Sequence, residues 1–490
     1  ALLYVTVPKG FFPVQDSGVI QVVTEAPQTV SFSAMAERQQ ALARVAMADP
    51  QVQSLSSFIG VDGSNTTLNS GRMLINLHPH GERDGVAEIM QRLAERFTAV
   101  EGIEAWMQPV QELSIEDRIS RTQYQFTLST PDEDELAAWV AAMVTALRQR
   151  PELADVASDL QRGGVQARVE IDRDAATRLG VSAAQVIGAL HTAYGQRQIA
   201  TLFTHANQYR IVLEVDPRHA VGPEALERTY IPAAGGPVPL STVARISLRP
   251  AVLAISHQGQ FPAATLSFNL APGASLGEAV AAIETVRGEI DLPMAVEMRF
   301  QGAAEAFRAS LGNTLWLILA AVVTMYIVLG VLYESTIHPI TILSTLPSAT
   351  VGALAALHLS GRPLDLVAVI GIVLLIGLVK KNGIMMVDFA LDAQRKLGMA
   401  PHDAIRRAAL LRFRPILMTT LAALVGALPL MLAGGSGAEL RQPLGVVMVG
   451  GLLVSQVLTL FTTPVVYLFF DRLTGGRAAQ PDTAAADARA

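Results

Sequence analysis

The chain reads as a membrane α-helical bundle with five complete spans, joined to an α+β domain of repeated ferredoxin-like βαβ subdomains. Three observations carry that reading. Charge is concentrated between residues 13 and 308, long apolar runs are confined to 312–471, and a strand, helix, strand order recurs through the charged part. At 51% hydrophobic and 16% charged residues, with mean hydropathy +0.37, 490 residues are too apolar on average for an ordinary soluble protein. They carry too much charge for one that lies wholly in lipid, so the chain must be divided. A net charge of -6 argues against nucleic acid as a partner. The absence of cysteine excludes disulfides and thiolate metal sites and is compatible with an oxidising compartment.

Ala1 to Val7 (ALLYVTV) is apolar but short, without the basic flank or cleavage site of a signal peptide. It reads as the last turns of a helix that starts upstream, so the chain is expected to be a fragment, with residues 1–12 the end of a truncated span. Val19 to Thr24 predicts a strand, Ser31 to Ala48 a helix and Val52 to Ile59 a strand; Met73 to Leu77, Val86 to Val100 and Ile103 to Gln108 repeat the order. Tyr124 to Leu128, Asp132 to Arg148 and Val156 to Leu160 give it again. A fourth copy runs through Ala264 to Leu270, Leu276 to Glu289 and Val296 to Phe300. Ser182 with Gln185 and Ser275 with Glu278 read as capping boxes. The section from Val165 to Pro250, with strands at Gln166 to Ile171 and Tyr209 to Val215 and a turn-rich Ala233 to Pro237, interrupts the series. The expected division is therefore 13–164 and 251–308 for the βαβ subdomains, 165–250 for an insert, 311–473 for the bundle and 474–490 for a disordered tail.

Five segments are long enough to cross a bilayer: Leu311 to Tyr333, Ile337 to Leu359, Leu364 to Ala390, Pro415 to Ala433 and Leu444 to Phe470. The intervening loop from Leu391 to Arg414 carries Arg395, Lys396, Arg406, Arg407, Arg412 and Arg414, against Arg362 and Arg441 on the other face. By the positive-inside rule that loop and the tail are cytoplasmic, which puts the large domain outside, in the periplasm if the cell has two membranes.

Lys380 and Lys381 stand mid-way along the most apolar of these spans. A cation at the bilayer centre costs at least about 2.5 kcal/mol and usually marks an ion or proton pathway. Snorkelling is the bland alternative, but the nine residues from Lys381 to Ala390 rise about 13 Å, farther than a lysine stem reaches. Asp388 lies two turns from Lys381, about 10 Å along the helix, too far for a direct pair. It reads as an interfacial anchor or as a participant in proton exit. Lys380, about 100° around the helix, reads equally as a packing or supporting residue and as one that takes part in the chemistry.

Several long stretches are similar to one known family. VPKGFFPVQDSG at Val7 to Gly18, LYES at Leu332 to Ser335, HPITILSTLPSA at His338 to Ala349, GLVKKNGIMMVDFA at Gly377 to Ala390, LLRFRPILMTTLAALVGALPL at Leu410 to Leu430 and TTPVVYLFFDRL at Thr462 to Leu473 resemble the C-terminal half of a resistance-nodulation-division (RND) multidrug efflux pump of the AcrB-like branch. SFIGVDGSNTTLNSG at Ser57 to Gly71 and SRTQYQFTL at Ser120 to Leu128 are most similar to MdtB-type subunits of MdtBC pumps, more so than to their MdtC-type partners.

The resemblance implies a trimeric drug/proton antiporter of the bacterial inner membrane, made of two similar halves and driven by the proton gradient without a cofactor. It implies antibiotic resistance as the physiological outcome, a periplasmic adaptor and an outer-membrane channel as partners, and a homo-trimer or a hetero-trimer with an MdtC-like subunit. The family's proton relay falls on Lys381 before Asn382, on Arg412 and on Thr419. Its two aspartates have no match here and are expected on a missing N-terminal half. Arg412 and Arg414 would also serve simply as a basic end at the headgroups, and Thr419 could back-bond to its own helix. In the family a flexible loop separates two phenylalanine-lined drug pockets. Here Gly60 to Gly71 lacks aromatics and offers Asp62 and Asn65, with Phe58 beside it as a pocket or core residue. Met73 and Met107 would fit metal export or core packing. Export of a metal ion or a lipid, and a non-transport accessory or sensor role, stand as alternatives. An enzyme is not expected, because no metal-ligand spacing, nucleotide loop or nucleophile elbow stands out.

Overall fold

A computed structural model describes residues 2–60, 67–113, 120–220 and 222–473. After α1 (Leu2–Thr6) come β1 (Val19–Glu25), α2 (Phe32–Met47), β2 (Val52–Ile59), β3 (Ser70–Leu77), α3 (Val86–Phe97) and β4 (Glu104–Pro109). The strands form one antiparallel sheet in the order β2-β3-β1-β4, with Val22 opposite both Met73 and Met107. β1 alternates, burying Ile20, Val22 and Thr24, while α2 buries Met35, Gln39, Leu42 and Ala46 at helical spacing. One buried polar tie crosses this interface: the Thr24 hydroxyl donates to Gln39 Oε1 at 2.6 Å, and Gln39 Nε2 donates to the Arg72 carbonyl at 3.3 Å.

Asp16, in the VPKGFFPVQDSG stretch, clasps the chain to the start of α3. Its carboxylate takes two bonds from Arg83 at 2.8 and 2.5 Å, and accepts the Val86 and Gly18 N–H groups. Burial pushes this carboxyl up, but the Arg83 guanidinium and the two N–H groups outweigh it and hold its pKa below the ordinary 3.8.

A second sheet begins with β5 (Tyr124–Ser129), α4 (Glu133–Leu147) and β6 (Leu153–Ser158). Asp132 caps α4 by accepting the Asp134 and Glu135 N–H groups. The chain then forms a separate compact unit from Gln161–Ile255 together with Pro27–Ser31. It holds β7 (Gly164–Ile171), α5 (Arg173–Arg178), α6 (Ala183–Tyr194), β8 (Arg197–Phe203), β9 (Gln208–Leu213), α7 (Glu224–Glu227), β10 (Tyr230–Ile231), β11 (Val238–Pro239) and β12 (Ala244–Ala251). β7 pairs with β12 over a small core that includes Val181, Val186, Ile231 and Leu240, while β8 and β9 pair as a largely exposed hairpin. The Ser182 and Gln185 capping box is formed at α6.

The chain re-enters the second sheet through β13 (His257–Gln258), β14 (Phe261–Leu270), α8 (Leu276–Glu289) and β15 (Glu297–Gln301). β14 lies between β6 and β5, and β15 on the far side of β5, all antiparallel. Phe126, Phe268 and Phe300 meet in its core, with ring centroids 5.8 and 6.5 Å apart. The Ser275 and Glu278 capping box is formed at α8.

The remaining helices are α9 (Gly302–Tyr333), α10 (His338–Leu343), α11 (Leu346–Leu359), α12 (Leu366–Leu397), α13 (Pro401–Met431) and α14 (Ala438–Leu473). They supply five apolar spans of membrane-crossing length. The expected span from Ile337 to Leu359 stands as His338–Leu359, interrupted between α10 and α11 because Pro347 in the first turn of α11 has no N–H to give to a continuous helix. One expectation is corrected. The basic loop expected from Leu391 to Arg414 is mostly helical: α12 continues to Leu397, ends on Gly398 at φ +61°, and α13 starts at Pro401, where a missing N–H costs nothing. α11 and α14 approach through glycines, since a Cβ on Gly352 would lie 2.7 Å from the Gly450 carbonyl and from Val454 Cβ. The expected tail after residue 473 lies outside the described residues.

Candidate functional site

α12 separates its two lysines by face. Lys380 is 5% exposed and packed among this chain's helices, between the apolar layers that contain Val379 and Met386. Lys381 points the other way, on a stripe of exposed residues with Ile370, Val373, Leu374 and Leu378, which this chain leaves uncovered. Among the described residues neither lysine forms an ion pair. The sequence singled out Lys381 as the buried cation, whereas within this chain the buried one is its neighbour; a step of about 100° makes that difference.

Asn382, the next residue, is buried and bridges three helices. Its Nδ2 lies 3.1 Å from Thr420 Oγ1 on α13 and 3.3 Å from Gln456 Oε1 on α14. Thr419, the expected relay threonine, is half-buried, and its hydroxyl donates to the Ile416 carbonyl of its own helix at 3.1 Å. Thr420 and Gln456 were missed. Gln456 could have been found, as an amide inside an apolar span is costly unless it has partners.

α14 continues the polar line toward its C-terminal end. Ser455 and Thr459 share a hydrogen bond at 3.2 Å, and Thr463, one turn on, is fully buried with its hydroxyl unpartnered among the described residues. Arg412 stacks its guanidinium 4.9 Å from the centre of the Phe389 ring, while its buried Nε has no partner among the described residues. Phe389 is eight residues beyond Lys381, about 12 Å of helix rise, so Arg412 sits well away from that ammonium along α12. Asp388 is exposed on the Lys381 side of the helix.

In the first sheet, Phe58 is 49% exposed on β2 with Arg72 5.8 Å from its ring centre, which rules out the core reading. Phe32, 51% exposed, lies against Gly60 and was not singled out in the sequence. Asp62 and Asn65 fall outside the described residues. Met73 and Met107 are buried in the sheet.

Residues 1–471 match the model of the AcrB/AcrD/AcrF family. The chain belongs to that family. The family so matched is one of RND efflux transporters. Two solved structures of a heavy metal efflux pump, in different crystal forms, share the fold. One aligns with a TM-score of 0.82 at 24% identity and the other with 0.84 at 26%, each over 96% of this chain. The chain spans about half the length of these structures, 48% and 49%.

Proposed function

We propose that this chain serves in proton-driven export of amphiphilic compounds across a bacterial inner membrane, with its two sheets in the periplasm. The observation that carries the proposal is Lys381: an ammonium on an uncovered apolar face of a span, with no ion pair among the described residues. A charge so placed requires a counter-charge, and we assign it to carboxylates on polypeptide outside this chain. Protonating such a carboxylate frees the ammonium and leaves an uncompensated charge worth several kcal/mol, enough to move α12 against its neighbours. A proton crossing about 100 mV supplies roughly 2.3 kcal/mol and one pH unit about 1.4 more, sufficient to shift a two-state population about 500-fold. Asn382, tied to Thr420 and Gln456, would carry that movement into α13 and α14. In this reading Lys380, Arg412, Thr419 and Asp388 support the relay rather than exchange its proton.

The strand orders of both sheets support reading them as ferredoxin-like subdomains. Exposed Phe32 and Phe58 beside Gly60 give an amphiphile an apolar surface, which favours amphiphiles over a metal ion. Metal export is the second reading, since the two similar structures are heavy metal pumps; buried Met73 and Met107 are placed for packing, not ligation. Trimeric assembly, an adaptor and an outer-membrane channel, and the MdtB-like assignment belong to the same proposal. In an efflux-deficient strain carrying the full-length gene, Lys381→Ala should abolish drug resistance at normal membrane levels. Full resistance at equal expression would remove Lys381 from the mechanism.

A further inference from the structure

On the side of α12 opposite Lys381 there is an apolar cavity of about 110 Å³, walled by Tyr4, Phe11, Phe307, Leu354, Ile372 and Ile376. Ile372 and Lys381 are nine residues apart, about 180° around the helix, so the cavity is distinct from the uncovered stripe. Its sheet-side end is built by main-chain bonds. Leu364 N–H donates to the Pro8 carbonyl at 2.7 Å, Gly10 N–H to Leu364 at 3.1 Å, and Leu366 N–H to Phe11 at 2.9 Å.

Asp365 lines this cavity and is 2% exposed. One carboxylate oxygen, Oδ1, caps α12 by accepting the Ala368 N–H at 2.7 Å. The other, Oδ2, is buried and has no hydrogen-bond partner among the described residues. The Arg362 guanidinium acts on this carboxylate only through space, its hydrogen bond going to the Gln442 side chain, and Lys9 Nζ lies 5.2 Å over the Tyr4 ring. A desolvated carboxylate oxygen facing an apolar wall is costly until a cation meets it.

We propose that this cavity binds the head of an alkylammonium amphiphile, whose N–H groups bond Asp365 Oδ2 while its first carbons lie against the apolar wall. Hard metal ions do not fit, because they demand six or more oxygens and the wall offers one free carboxylate oxygen. An ammonium does fit, needing one strong acceptor and gaining from aromatic neighbours such as Phe11 and Phe307 in the lining. An apolar cavity of about 150 Å³ holds one benzene, so the site takes a head group and a few carbons, with the rest of the chain leaving through its mouth. The proposal deepens the export reading by naming a cargo class and rests on it for that name alone. Binding at equilibrium needs no proton gradient, so its failure is distinguishable from failure of Lys381-dependent transport.

The test uses the purified full-length pump in phosphatidylcholine nanodiscs at pH 7, titrated with dodecylamine and, as a neutral control, dodecanol. Asp365→Asn keeps an N-cap acceptor and removes the charge. Dodecylamine binding should weaken at least tenfold in this variant while dodecanol binding is unchanged. Equal loss for both, or no loss for either, overturns the proposal. If Asp365→Asn does not accumulate, Ile372→Trp fills the cavity with the carboxylate retained, and undiminished dodecylamine binding there is equally fatal. Nanodiscs containing phosphatidylethanolamine separate the sources of the ammonium: competition with dodecylamine assigns the site to a lipid head, and its absence to a free amphiphile.

Discussion

The clasp beside the first sheet and the helical bundle treat buried charge in opposite ways. In that clasp Asp16 takes two bonds from Arg83, whose side chain is 1% exposed, and accepts two main-chain N–H groups. In and beside the bundle, Lys380, Lys381 and one oxygen of Asp365 have no such partner among the described residues. A soluble scaffold gains by closing its charges, because an open one costs several kcal/mol and brings nothing in return. An assembly that moves ions or cations needs open ones, since only an unsatisfied group has differential affinity to offer between two states.

Three changes would break or sharpen this contrast. The largest effect is expected from Gly450→Leu, because even a Cβ there collides with Ala356 of α11. Two backbones in contact cannot yield as a side-chain tip can, so the bundle should not assemble and folded protein in membranes should fall below detection. Normal accumulation would mean that α11 and α14 pack differently.

Next comes Asp16→Ala, which strands the buried Arg83 and should cost about 3 kcal/mol in denaturant unfolding followed by tryptophan fluorescence. The pH dependence has a definite sign. A carboxyl held below its ordinary pKa stabilises fully above about pH 3.8, and the contribution is lost as pH falls through its lower folded value. The variant should therefore lack this acid-sensitive component, and an unchanged acid profile would contradict the clasp.

The smallest effect is expected from Asn382→Leu, about 0.6 to 2 kcal/mol, since polar ties between membrane helices are individually modest. A double-mutant cycle with Thr420→Ala should give a coupling of similar size, and additivity would show that the 3.1 Å contact does not matter to stability.

Much of the fold was legible. β2 and α8 fall at the bounds the sequence predicts, α8 with its apolar residues at helical period, and both capping boxes form as spacing predicts. The misjudged boundaries lie where local signals compete. The arginines from Arg406 to Arg414 read as a loop, but Pro401 opens a helix that carries them. The site was legible only in part. Lys381 stood out by charge, yet neither Thr420 nor Asp365 did, since one resembles any back-bonding threonine and the other an ordinary N-cap.

By itself the sequence determined the five spans, the strand and helix series and the conspicuous lysine pair, because the cost of exposing backbone or charge to lipid depends on local composition. Only the tertiary structure decided which lysine is buried, that Asn382 reaches Thr420 and Gln456, and that Asp365 keeps one oxygen free over a cavity. Each of those depends on a rotation of about 100° per residue and on what a neighbouring helix presents at that angle, which no single segment encodes.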